Sequence, residues 1–114
     1  KDLGKCLENT VFLELRHRKA KRPSMEVFYW QDSRKREVDF VVTEGESVKE
    51  LIQVCAEVSG FRVEEREVAA LLKASEELGC DKLTVVTLDY EGEKEVGGKR
   101  VVFRKLLRWL LEEG

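Results

Sequence analysis

The sequence predicts a single α/β domain, residues 1–114, around a mixed central sheet. The order is αβββαβ followed by a C-terminal hairpin and helix. Three observations carry that prediction. Apolar residues recur at helical spacing near the start and again after residue 62. Between them lie three runs rich in β-branched and aromatic residues, separated by short polar turns. One more apolar run follows the second helix. The strand, helix and strand then form a βαβ unit, whose two strands should be parallel with a right-handed crossover.

The first helix is read over residues 3–20, where Leu3, Leu7, Val11 and Leu15 recur every fourth residue. Phe12 and Leu13 widen the stripe into a face that calls for burial on more than one side. Pro23 cannot continue the helix. Met25–Gln31 is the first strand, and Asp32-Ser33-Arg34-Lys35-Arg36 a polar hairpin turn. Glu37–Thr43 is the second strand, and residues 44–47 are a turn bearing Gly45. Val48–Ala56 is the third, and its apolar run Leu51–Ala56 suits the middle of a sheet. Ser59-Gly60 breaks the pattern before a helix from Val63 to Leu78. That helix has Val68, Leu71, Leu72, Ser75 and Leu78 as its buried stripe and Glu64, Glu65 and Glu67 in its first turn, where the dipole favours acids. Gly79 suits its C-terminal cap. Lys82–Leu88 is the fourth strand, Gly97-Gly98 marks a hairpin turn between residues 93 and 102, and Phe103–Glu112 has the spacing of a closing helix.

The chain is 42% hydrophobic and 39% charged, yet its formal net charge is −2. Bulk charge therefore favours neither nucleic acid nor membrane, and any such binding must come from local patches. No apolar run is long enough for a membrane span and no signal peptide is evident, so a cytoplasmic setting without a membrane partner is expected. Lys1, standing where an initiator Met would, suggests a piece of a longer protein. The three cysteines are widely spaced and show no CxxC pairing, which suits a reducing compartment. The high charge content is compatible with a thermophile. There is no GxxxxGK[ST] run, so the domain should bind no nucleotide.

The chemistry concentrates in two strands. Asp39 interrupts Glu37-Val38-Asp39-Phe40-Val41-Val42, and Gln53 interrupts Leu51-Ile52-Gln53-Val54-Cys55. Burying a carboxylate costs several kcal/mol unless it is paired, protonated or metal-bound. Asp39 is therefore read either as a paired buried acid or as a weak metal ligand. Gln53 is read as an amide bonded to a neighbouring strand or to Asp39, or as a neutral ligand. Glu8 is either a ligand or the partner of a basic residue. Arg16, Arg18, Lys19, Lys21 and Arg22, with His17 among them, form one basic cluster, and Arg34, Lys35 and Arg36 a second. Either is a solvated surface or a phosphate-contacting patch, the first run also suiting the negative end of its helix dipole. His17 reads as a surface residue, Trp30 and Trp109 as core or interface anchors.

Three stretches carry a family resemblance. They are Glu8-Asn9-Thr10-Val11-Phe12-Leu13-Glu14-Leu15, Val27-Phe28-Tyr29-Trp30, and Arg36-Glu37-Val38-Asp39-Phe40-Val41-Val42, with Arg66-Glu67-Val68 and the closing Lys105–Leu111 in support. Together with the element order they resemble the C-terminal domain of archaeal and bacterial AAA-type ATPases, a branch of the PD-(D/E)XK, restriction-endonuclease-like fold. The resemblance covers almost the whole chain. It implies a helix acid, a strand acid and a next-strand ligand around Mg²⁺ or Mn²⁺, here Glu8, Asp39 and Gln53, with a Lys two residues later. That last position is Cys55, a soft thiol where the chemistry needs a cation. A replacement cation would have to come from Arg66, Lys73 or Lys49. The expectation is an accessory domain with a degenerate site, joined to the ATPase core of its parent chain and mediating DNA or protein interaction. The alternatives are a weak metal-dependent DNA endonuclease with a displaced cation, and a structural self-association module.

Overall fold

The computed structural model describes residues 2–56 and 61–112, with side chains from residue 65 onward in the second segment. The elements run α1 (Leu3–Lys21), β1 (Met25–Gln31), β2 (Glu37–Glu44), β3 (Ser47–Val54), α2 (Phe61–Leu78), β4 (Leu83–Thr87), β5 (Gly92–Val96), β6 (Lys99–Lys105) and α3 (Leu106–Leu111). The six strands form one mixed sheet in the order β1-β2-β3-β4-β6-β5. β1, β2 and β3 are an antiparallel meander, and β3 pairs parallel with β4 across α2, as the βαβ pattern requires.

The sheet is covered on both faces. On one, Val38, Val41, Leu51, Leu83, Val85, Val101 and Phe103 pack with Val68, Leu71 and Ala74 of α2. On the other, Phe40, Val42, Ile52 and Val86 pack with Leu7, Val11 and Leu15 of α1 and Trp109 of α3. Leu51, Ile52 and Gln53 are all buried, because β3 lies inside a sheet covered on both sides.

Three details depart from the sequence reading. Phe103 belongs to β6, not to a closing helix. Val101 and Phe103 alternate inward opposite Leu83 and Val85 of β4, and this central pairing overrides the helical spacing. β6 thus inserts between β4 and β5, and only Leu106–Leu111 remains helical. α2 begins at Phe61, so Glu65 and Glu67 lie beyond its first turn. Phe12 and Leu13 stay substantially exposed, so α1 buries a single stripe. The expected break at Ser59-Gly60 lies outside the described residues. Gly97 and Gly98 both take positive φ, 58° and 78°, the requirement of a two-residue hairpin turn. The Asp32–Arg36 turn instead uses a non-glycine residue, Lys35, at φ 65°.

Candidate functional site

The site grows from an irregularity in β2. Phe28 pairs with Val41 and Trp30 with Val38, so Asp39 and Phe40 together stand opposite Tyr29. This is a β-bulge, and it breaks the alternation of faces: Val38 and Val41 both join the α2-side core, while Phe40 joins the α1 side. Asp39 is left at the rim, where the β2–β3 ladder has stopped at Phe40 and Ile52.

Beyond that point side chains replace the ladder. The Gln53 Oε1 accepts from the Asp39 N–H at 2.9 Å, and its Nε2 donates to the carbonyls of Glu37 at 2.8 Å and Glu67 at 3.1 Å. The Asp39 Oδ2 in turn accepts from the Val54 N–H at 2.8 Å. Gln53 is fully buried, and this single amide ties β2, β3 and α2 together. Without it the Asp39 N–H and the Glu37 carbonyl, beyond the end of the β2–β3 ladder, would lose their partners.

Asp39 lines a cleft of about 380 Å³ with Arg34, Lys35, Arg36, Glu37, Arg66, Glu67 and Ala70. Burial raises its carboxyl to about 6 despite the bond from Val54, and the charges of Glu8 and Glu37 push the same way. Burial also lifts Glu67 to about 7, with Asp39, Glu37 and Glu8 raising it and Arg66 opposing. Glu37 and Glu67 thus join Asp39, although their spacing in sequence suggests no site. Glu37, two residues before Asp39 on one strand, was the one visible hint.

The residues implied as metal ligands have different fates. Glu8 lies exposed on α1 beside a separate shallow cleft with Lys5, Cys6, Asn9, Phe12 and Phe40, and reaches Asp39 only through its charge. The Gln53 oxygen is buried and bonded to a backbone amide. Cys55 is buried in the α2-side core. Among the described residues no three His, Cys, Asp or Glu side chains are arranged to hold a metal ion. Mg²⁺ needs several oxygen donors in near-octahedral array, which the described side chains do not present. Of the candidate cations, Arg66 lines the Asp39 cleft, Lys73 pairs with Glu76 at 3.6 Å, and Lys49 lies at another cavity.

The two basic clusters also divide. Arg18 is buried, not a phosphate contact. Its guanidinium bonds Glu14 at 2.9 Å and the carbonyls of Trp109 and Glu112 at 2.8 and 3.0 Å, and it stacks 4.3 Å over the Trp109 ring. Lys19 is spent on Glu26 and the Met25 carbonyl. Arg36 is held by Asp32 at 2.7 Å, and Arg16 lies 5.9 Å from the Phe12 ring centroid. Lys21 and Arg22 border a cavity of about 460 Å³ at the C-terminal end of α1, with Lys49, Lys82 and the buried Glu50. Glu50 accepts from the Thr84 hydroxyl at 2.7 Å, and burial pushes its carboxyl up. The side chains of Arg34, Lys35 and Arg66 form no ion pair among the described residues, which leaves them at the rim of the Asp39 cleft. No described helix is long and apolar enough to cross a membrane.

Comparison with known proteins returns relatives without an assigned role. The uncharacterized protein MJ1544 of Methanocaldococcus jannaschii is 40% identical over 93 residues, covering 82% of this chain and 20% of that protein. The chain therefore spans about a fifth of the length of the curated relative it matches. No solved structure matches it. The family model described as a domain of unknown function, DUF4143, matches residues 3–106, from the first turn of α1 to the start of α3. The chain belongs to the DUF4143 family.

Proposed function

We propose that this domain is a non-catalytic accessory module of an AAA-type ATPase. It would be a restriction-endonuclease-like unit in which the metal site has become a strand clamp, leaving an interaction surface for DNA. The bonding of Gln53 carries the reading. An amide whose oxygen already accepts from a backbone N–H and whose two donors are both given to backbone carbonyls is held as a clamp. The one lone pair left on its oxygen lies in a fully buried side chain, a poor offer to a hydrated cation. The order α1-β1-β2-β3-α2-β4 and the Glu8–Leu15 and Arg36–Val42 stretches support the nuclease-like ancestry. Arg34, Lys35 and Arg66 around one cleft support phosphate contact. The ATP-handling residues would lie elsewhere in the parent protein.

Two assays test this. Plasmid nicking with Mg²⁺ or Mn²⁺ is expected to be absent. Nicking that Asp39→Ala abolishes would replace the reading with the endonuclease alternative. Duplex and branched DNA should bind with an affinity that falls steeply with salt and weakens on Arg34→Glu with Lys35→Glu. Absence of binding at every salt concentration would exclude DNA and leave a protein partner.

A further inference from the structure

We propose that the outer edge of β1 is a self-association surface, on which a second copy of this domain adds its own β1 antiparallel and the two sheets become one. The inference is independent of what the Asp39 cleft binds.

The two edges of the sheet are built differently. β5 at one edge reads Gly92-Glu93-Lys94-Glu95-Val96, and such a run of charges deters pairing with another strand. β1 at the other reads Met-Glu-Val-Phe-Tyr-Trp-Gln. Its single charge, Glu26, is bridged to Lys19 at 3.0 Å, and Phe28 and Tyr29 are 55% and 57% exposed. An aromatic edge of this length, with its one charge already paired, is a template for strand addition.

The backbone pattern identifies which groups are on offer. Gly45 donates to the Ser24 carbonyl at one end of the β1–β2 hairpin, and Asp32 to the Arg36 carbonyl at the other. Alternation from both anchors turns the N–H and C=O of Met25, Val27, Tyr29 and Gln31 away from β2. Met25 is already occupied, donating to the Arg22 carbonyl at 2.9 Å and accepting from the Lys19 Nζ at 2.8 Å. Val27, Tyr29 and Gln31 remain. The bulge that distorts this pair sits on β2, so β1 runs regularly through Tyr29.

These three residues are self-complementary. An antiparallel partner centred on Tyr29 sets Tyr29 against Tyr29 and Val27 against Gln31, so every open group on each copy meets one on the other. That is the isologous contact a two-fold axis requires. Phe28 then falls beside Trp30 of the second copy, an aromatic cross-strand pair. Charge agrees with the same arrangement. The hairpin tip of each copy carries Arg34 and Lys35, and the two-fold brings it to the end of the other strand that carries Glu26. In this register Glu26 stands opposite Asp32, but each already has its own cation, Lys19 or Arg36. An unrelated strand would need none of this symmetry, which is why the occupant is a second copy.

Analytical ultracentrifugation of the 114-residue chain over a wide concentration range should show a monomer–dimer equilibrium. Tyr29→Pro deletes an outward donor that the β1–β2 ladder does not use, together with the exposed phenol ring, at a position an edge strand tolerates, and Phe28→Lys with Tyr29→Lys adds charge to the edge. Either variant should be monomeric at the concentrations where the wild type is a dimer, with circular dichroism unchanged. Amide exchange of the wild type needs no variant: Val27, Tyr29 and Gln31 should gain protection as concentration rises, while β5 does not. A wild type that stays monomeric overturns the proposal. So does a dimer that survives both folded variants, or one that leaves those three amides unprotected. A β1 edge that is protected only by an added peptide strand also overturns it.

Discussion

Replacing Gln53 by leucine keeps the volume of the side chain and removes three hydrogen bonds at once. The Asp39 N–H and the Glu37 carbonyl lose their partners in part-buried hydrogen bonds against the fully buried Gln53 side chain. The Glu67 carbonyl is less affected, because it lies within α2 and keeps an intrahelical donor. A buried group left unsatisfied costs about 1–3 kcal/mol, and leucine recovers part of that by its more favourable transfer from water. The net loss should be about 3 kcal/mol, a large fraction of the roughly 5–15 kcal/mol that holds such a domain folded. Urea denaturation of wild type and Gln53→Leu at one pH measures it, with unchanged slope as the check that both unfold in one step. A ligand whose work was metal binding would give a different result: little change in stability without metal. A loss below about 1 kcal/mol would refute the clamp and with it the argument that the site is disarmed.

The remaining predictions concern charge and backbone. The folded pKa values of Asp39 and Glu67, about 6 and about 7, lie above their ordinary 3.8 and 4.5, so the native state holds protons that the unfolded chain releases. Their contribution is therefore fully present below about pH 4 and is lost as pH rises toward 7. Glu67→Gln should stabilise the protein by about 1–2 kcal/mol at pH 8 and flatten the slope of stability between pH 5 and 8. A steeper slope in the variant would refute the shared burial of the two acids. Arg18→Met should cost about 2–3 kcal/mol, since a charged donor to two carbonyls and an aromatic stack are lost, while the salt dependence of DNA binding stays as in wild type. A reduced salt slope would return Arg18 to the phosphate contacts. Lys35→Gly relieves a side chain held at φ 65° and should raise stability by about 0.5 kcal/mol in the same urea assay; a loss would show that the turn prefers its lysine.

Much of the architecture was legible because periodicity is a local property. The three-strand meander, the βαβ unit and the Gly97-Gly98 turn each announce themselves within a few residues. The closing segment did not, since Val101 to Leu111 has both a strand and a helical reading, and only the vacancy beside β4 selects the strand for Phe103. The candidate site was legible only as far as Asp39 and Gln53, fourteen residues apart, which strand order alone makes neighbours. Glu67 was not, and Glu37 showed only as an acid two residues before Asp39, because a cleft gathers residues by space and not by spacing.

The sequence by itself determined the element order, and two polar residues set into apolar strands with a thiol, Cys55, two residues after the second. What those residues do was decided by tertiary structure. A bulge is one extra residue in a pairing, so it exists only once β1 lies against β2. Whether an amide is a ligand or a clamp depends on which backbone groups close around it. Arg18 illustrates the same limit: its charge is plain in the chain, but only the carbonyls of α3 and the Trp109 ring turn it from a surface cation into part of the core.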